Sequence, residues 1–164
     1  GVAGPGPIKQ VEVNVDYIVM LIDDYRAKLG QRNDAGAREI RATIERRVEA
    51  SPSLHNKRDL FEEFLHSEES AGASGDTHQR WGKFIANRRD QELNELIEAE
   101  ELNPDETYSL VEKALRNGGV QTSGTAMKKL SPATSSLGRH KDQDEVQARL
   151  SQKLSAFVDR FSMS

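Results

Sequence analysis

Apolar residues recur at intervals of three and four along most of the chain, the spacing that puts side chains on one face of a helix. Ile18, Leu21, Ile22, Tyr25 and Leu29 form the first such stripe. Asn14 or Asp16 stands where a cap is needed, and Gly30 closes the segment. Ahead of it, Val11, Val13 and Val15 alternate over a short distance and predict an extended lead-in. A second helix is predicted from near Asp34 to Ala50 along Ile40, Ile44 and Val48, with Arg38, Arg41, Arg46 and Arg47 beside the stripe. Ser51-Pro52 stops it, because the residue before proline avoids the helical region.

Leu60, Phe61, Phe64 and Leu65 make the apolar face of a third helix. The stretch 67–76, "SEESAGASGD", is a flexible loop by composition. Asp76 can cap a long fourth helix through Trp81, Phe84, Ile85, Leu93, Leu96 and Ile97. Asn103-Pro104-Asp105-Glu106 is a start signal, since asparagine caps and proline suits the first helical position. Tyr108, Val111, Ala114 and Leu115 follow, and Gly118-Gly119 ends that helix. The last helix carries Val146, Leu150, Leu154, Phe157, Val158 and Phe161 on one face.

No segment reads as a strand, and no internal repeat is visible. The expected fold is all-α, a single compact domain of about six or seven helices over residues 11–164. Its core is expected to be built largely from Leu21, Ile22, Phe61, Phe64, Trp81, Phe84, Ile97, Leu115, Leu154 and Phe157.

Composition narrows the function. The chain has 164 residues, 30% of them charged and only 5% aromatic, which fits charged helices around a modest core. There is no cysteine, so disulfides, thiolate catalysis and cysteine-based zinc sites are excluded. No apolar run approaches the roughly 20 residues of a membrane span. The opening "GVAGPGPIKQ" has no initiator Met, and residues 1–10 read as a linker or appended segment of a piece from a longer chain.

A formal net charge of -4 does not by itself predict nucleic-acid binding, so any such site must be local. The order of the charges supplies one. From Asp90 to Glu106 there are acids and no base. From Lys113 to Lys141 there are bases and no acid. Separated lobes let one surface touch DNA while the other repels it. A solvated acidic helix face, partly neutralised by the basic run, explains the same order. Within the second run lies the Gly/Ser/Thr-rich connection 117–141, "NGGVQTSGTAMKKLSPATSSLGRHK".

Catalytic patterns are weak. Gly119 and Gly124 have P-loop spacing, but Thr125 stands where the lysine belongs, and a helix precedes instead of a strand. A helix end followed by an ordered turn, with Ser123 or Thr125 capping a short helix through Met127 and Leu130, accounts for the glycines. His55, His66, His78 and His140 include no pair at i, i+4 and no carboxylate placed for a metal. Arg88 and Arg89 interrupt the apolar face after "WGKFIAN". They require either a carboxylate partner within the fold or a phosphate or protein partner outside it.

Several segments together resemble the C-terminal domain of the motor subunit of type I restriction enzymes, closest to the IC-like subfamily. They are "KQVEVNVDYIVMLIDDY" (9–25), "SPSLHNKRDLFEEFL" (51–65), "WGKFIANRRDQELNELIEAEELNPDETYSLVEKALRNGGVQTSGTAMKKL" (81–130) and "KLSAFVDRF" (153–161). Ala126 stands where the family tends to have an acid, and the basic residue of the family's next step is delayed to Arg139. The resemblance implies a helical region that docks to a methyltransferase core and touches double-stranded DNA. It places the nuclease and the ATP- and Mg-dependent motor upstream of this region, so no catalytic residue, cofactor or metal is expected here.

Lys128, Lys129, Arg139 and Lys141, helped by Arg88 and Arg89, are the candidate DNA contacts. The expected partners are the methyltransferase and specificity subunits and duplex DNA, in a bacterial or archaeal cytoplasm. A protein-only docking domain without DNA contact is the alternative, and an enzyme in its own right is a third class.

Overall fold

The computed structural model describes residues 11–71, 76–99, 104–120 and 143–163. Among them are six α-helices and one short 3-10 helix, with no strand: the chain is all-α, as its periodicity predicts. The α-helices are α1 (Val15–Gly30), α2 (Asp34–Glu49), α3 (Arg58–Ala71), α4 (Thr77–Glu98), α5 (Pro104–Gly118) and α6 (Gln143–Phe161). The 3-10 turn, η1 (Pro52–Lys57), joins α2 to α3. The described helices fall into two compact units, divided between Phe84 and Ile85 within α4.

In the first unit the valine lead-in is held against the end of α2. Val11 N–H donates to the Ala50 carbonyl at 3.1 Å. The buried Ser51 hydroxyl donates to the Val11 carbonyl at 2.8 Å and accepts from Val13 N–H at 3.0 Å. One side chain thus satisfies two backbone groups that a neighbouring strand would otherwise pair. Asn14 then caps α1, its side chain accepting from Tyr17 N–H at 2.9 Å.

Gly30 is the last residue of α1, but the left-handed residue that turns the chain is Arg32, with φ of 57°. Asn33 N–H reaches back to Lys28 and Arg32 N–H to Leu29, the paired bonds of a Schellman ending. The Asn33 side chain in turn caps α2 by accepting from Gly36 N–H at 2.9 Å.

The core of this unit is Ile18, Leu21 and Ile22 of α1, Ile44 and Val48 of α2, and Leu60, Phe61, Phe64 and Leu65 of α3, all buried. Trp81 stacks on Phe61 with ring centroids 5.3 Å apart and meets Phe64 edge-on at 5.2 Å. Phe84 joins this group at 5.5 Å from Phe64 but is only half-buried. Ile40 is also half-buried, and the stripe of α2 is completed by Ala37.

The stretch expected as a loop is in part helix: Ser67–Ala71 continue α3, while 72–75 lie outside the described residues. The reason is Glu68, whose side chain is 2% exposed and paired with Arg80 of α4. Composition favours a loop there, but a buried bidentate carboxylate fixes the last turn of the helix. Asp76 caps α4 as expected, accepting from His78 N–H at 2.9 Å.

In the second unit, Ile85 and Leu93 of α4, Val111 and Leu115 of α5, and Leu150, Leu154, Phe157 and Phe161 of α6 are buried. Ile97, expected in the core, is half-buried. Helix α5 begins at Pro104 and ends in a second Schellman pattern, with Gly119 at φ of 66°. Gly119 N–H bonds to Arg116 and Val120 N–H to Leu115, and Val120 and Leu115 are both buried. Gly118 lies against α6, so close that a Cβ there would stand 2.2 Å from Val158 Cγ1.

Candidate functional site

Among the candidate DNA contacts, Lys128, Lys129, Arg139 and Lys141 lie outside the described residues. Arg88 and Arg89 are adjacent on α4 and therefore diverge by about 100° around the helix. They meet different surroundings. Arg88 lies one turn before Glu92 and its guanidinium is 3.9 Å from that carboxylate. Arg160 of α6 grips the same carboxylate with two bonds, Nε and Nη2 each at 2.8 Å. The Arg160 guanidinium also sits 5.4 Å from the centre of the Phe161 ring. Glu92 is thus the carboxylate partner that an inward-facing Arg88 requires.

Arg89 differs. Its Nε is buried and has no hydrogen-bond partner among the described residues. The arginine is half-buried as a whole. Two arginines, Arg88 and Arg160, therefore meet at one carboxylate on the helices of the second unit. A planar fork of N–H donors suits phosphate oxygens as well as carboxylates. Glu92 orients Arg88 and Arg160, and its contact with Arg160 is not foreseeable from the sequence. The i, i+4 spacing of Arg88 and Glu92 is visible in the chain, whereas Arg160 follows Glu92 by 68 positions.

Two further ionic groups belong to the first unit. Arg80 holds Glu68 through Nε and Nη2 at 2.9 to 3.1 Å, and Arg26 approaches from 3.7 Å. The hydrogen bond to Glu68 helps hold the Arg80 guanidinium above its ordinary range. Beside it, the Thr77 hydroxyl donates to Asp23 at 2.6 Å, tying the start of α4 to α1. In the second group, Tyr25 O–H donates to Glu69 at 2.7 Å and Arg41 binds the same oxygen at 2.5 Å. Burial, then the hydrogen bond to Glu69, pushes the Tyr25 phenol up.

Among the described residues no group of three His, Asp or Glu side chains could hold a metal ion. The His55 ring contacts the Glu49 carbonyl at 2.8 Å, His66 is exposed beside Glu69, and His78 is exposed. No described helix is long and apolar enough to cross a membrane.

The fold and its charged helix faces define an all-α region whose recurrent device is a carboxylate shared between arginines. The chain matches, over residues 6–161, the family described as type I restriction and modification enzyme, subunit R C-terminal. It belongs to that family. No curated protein and no solved structure matches it.

Proposed function

We propose that this chain is the assembly and nonspecific DNA-contact region of the motor subunit of a type I restriction–modification complex, of the IC-like kind. The match to the subunit R C-terminal family across nearly the whole chain carries this conclusion. The segregation of charge supports its DNA half: an acid-free run from Lys113 to Lys141 follows a base-free run from Asp90 to Glu106. Arg89, whose buried Nε has no hydrogen-bond partner among the described residues, supports it as well.

In this reading Lys128, Lys129, Arg139 and Lys141 contact phosphates, with Arg88 and Arg89 assisting. Phosphate contacts carry no sequence code, which suits a motor that runs along any DNA. ATP and Mg act in upstream domains of the parent chain, and target recognition belongs to a partner subunit. The methyltransferase and specificity subunits are the protein partners, in the cytoplasm.

The test is duplex DNA binding by the intact motor subunit across a salt series. Each lost phosphate contact lowers the log–log salt slope by about 0.9. The double change Lys128→Glu, Lys129→Glu should therefore weaken binding on all sequences alike and flatten that slope. Unchanged DNA affinity and slope, together with lost assembly onto the methyltransferase core, would replace DNA contact by protein docking alone.

A further inference from the structure

The first unit contains a cavity of about 280 Å³ lined by α2 and α3. Its floor is apolar and buried: Ile44, Val48, Phe61 and Leu65. The side chains around it are of another kind. Glu45, Glu49 and Glu62 are each half or more exposed. Arg58 stands among them and is bound to Glu49. Three carboxylates against one guanidinium leave a net charge of -2 on the lining. Arg41 comes within 3.8 Å of Glu45 and of Glu62, but its close bond, at 2.5 Å, is to Glu69 outside the cavity. One cation cannot neutralise three carboxylates, so the negative rim remains.

Size and charge together restrict what fits. An apolar cavity of about 150 Å³ admits benzene, so this one has room for a large aliphatic or aromatic side chain. Its volume is at the small end of the roughly 300–1,000 Å³ of ordinary small-molecule sites. The rim repels DNA and attracts cations. We infer that this cavity is a docking site for a protein segment presenting one large apolar side chain flanked by lysine or arginine. The floor takes the apolar anchor, and Glu45 and Glu62 take the flanking charges. Such an anchor-and-rim arrangement is how a small contact gains both affinity and register.

This inference rests on the proposed assembly role, and it names the surface and the chemistry of the contact. The complex is reconstituted from the full-length motor subunit and the methyltransferase core, then treated with a carbodiimide. That reagent joins carboxylates to lysine amines in direct contact, and peptide mapping locates the junctions. The expected result is adducts of Glu45, Glu49 or Glu62 with lysines of the methyltransferase or specificity subunit.

The charge-reversed motor, Glu45→Lys with Glu62→Lys, should bind the core at least about tenfold more weakly while keeping its unfolding midpoint. Glu45→Gln with Glu62→Gln should weaken it in the same direction by less. If the unaltered complex forms without such adducts and both variants bind as the parent does, the cavity is not the docking site, and the assembly role stands. Adducts to Lys9, Lys128 or Lys129 of the same chain would also overturn the inference, because the occupant would then be internal. Failure of the unaltered motor to join the core would remove the assembly role and this inference with it.

Discussion

Each unit contains a glutamate held between two arginines, and the two differ in depth. In the first, Glu68 is 2% exposed and meets Arg80 and Arg26. In the second, Glu92 is 25% exposed and meets Arg160 and Arg88. The bidentate geometry is nearly the same in both. Depth changes its meaning. A buried carboxylate must be compensated or the unit does not fold, whereas one in reach of water can exchange protein donors for solvent. The same constellation is thus a structural necessity in one place and an adjustable surface group in the other.

The comparison breaks most severely at Glu68. Glu68→Ala should cost about 3–5 kcal/mol, read as a lower urea midpoint, because it removes the buried carboxylate that Arg80 and Arg26 share beside the core. Salt should change that cost little. In the second unit one close packing contact is exposed to test. Gly118→Ala should cost about 1–3 kcal/mol, since the β-branched Val158 has few rotamers with which to retreat. Adding Val158→Ala should recover part of the loss, which marks the contact itself as the cause.

Next in size is Glu92→Ala, expected at about 1–2 kcal/mol and reduced in 1 M salt (about a 3 Å screening length). Equal costs for Glu68→Ala and Glu92→Ala, with equal salt dependence, would dissolve the distinction between the two sites. Smaller still is Arg32→Gly. It relieves a left-handed residue at an ending where the second unit uses Gly119, and should stabilise by less than about 1 kcal/mol.

The last effect depends on pH. The Tyr25 phenol is held above its ordinary value of 10.0 by burial and by Glu69. The unfolded chain gives up that proton first. The stability contributed by the protonated phenol is complete below pH 10.0 and is lost as pH rises through the folded value. Tyr25→Phe should flatten this alkaline decline in an unfolding series.

Local rules carried most of the fold because most of its decisions are local. Asn14 and Asp76 cap the helices that follow them, Ser51-Pro52 ends α2, and Pro104 opens α5. The extra turn of α3 was not legible because it is decided by Arg80, twelve positions after Glu68, and not by the glycines and serines around it. Half-burial of Phe84 and Ile97 is likewise a matter of what packs nearby, which helical period alone does not report.

For the candidate site, the need of Arg88 for a carboxylate was readable. The sharing of that carboxylate with Arg160 was not, since it is a tertiary contact. The basic run 117–141 shows its chemistry in sequence through charge order, while its lysines and Arg139 fall outside the described residues.

The small bracket at Ser51 has a mechanical consequence. Tension applied to the backbone ahead of Val11 does not first meet a free helix end. It meets the Val11–Ala50 hydrogen bond and the two made by the Ser51 hydroxyl, which hold the lead-in to the end of α2. Loaded together, these bonds share a pull that would otherwise unwind α1 one turn at a time. Ser51→Ala would leave only the Val11–Ala50 bond of the three. In a single-molecule pulling experiment, the first unit should then yield at lower force by peeling from its start.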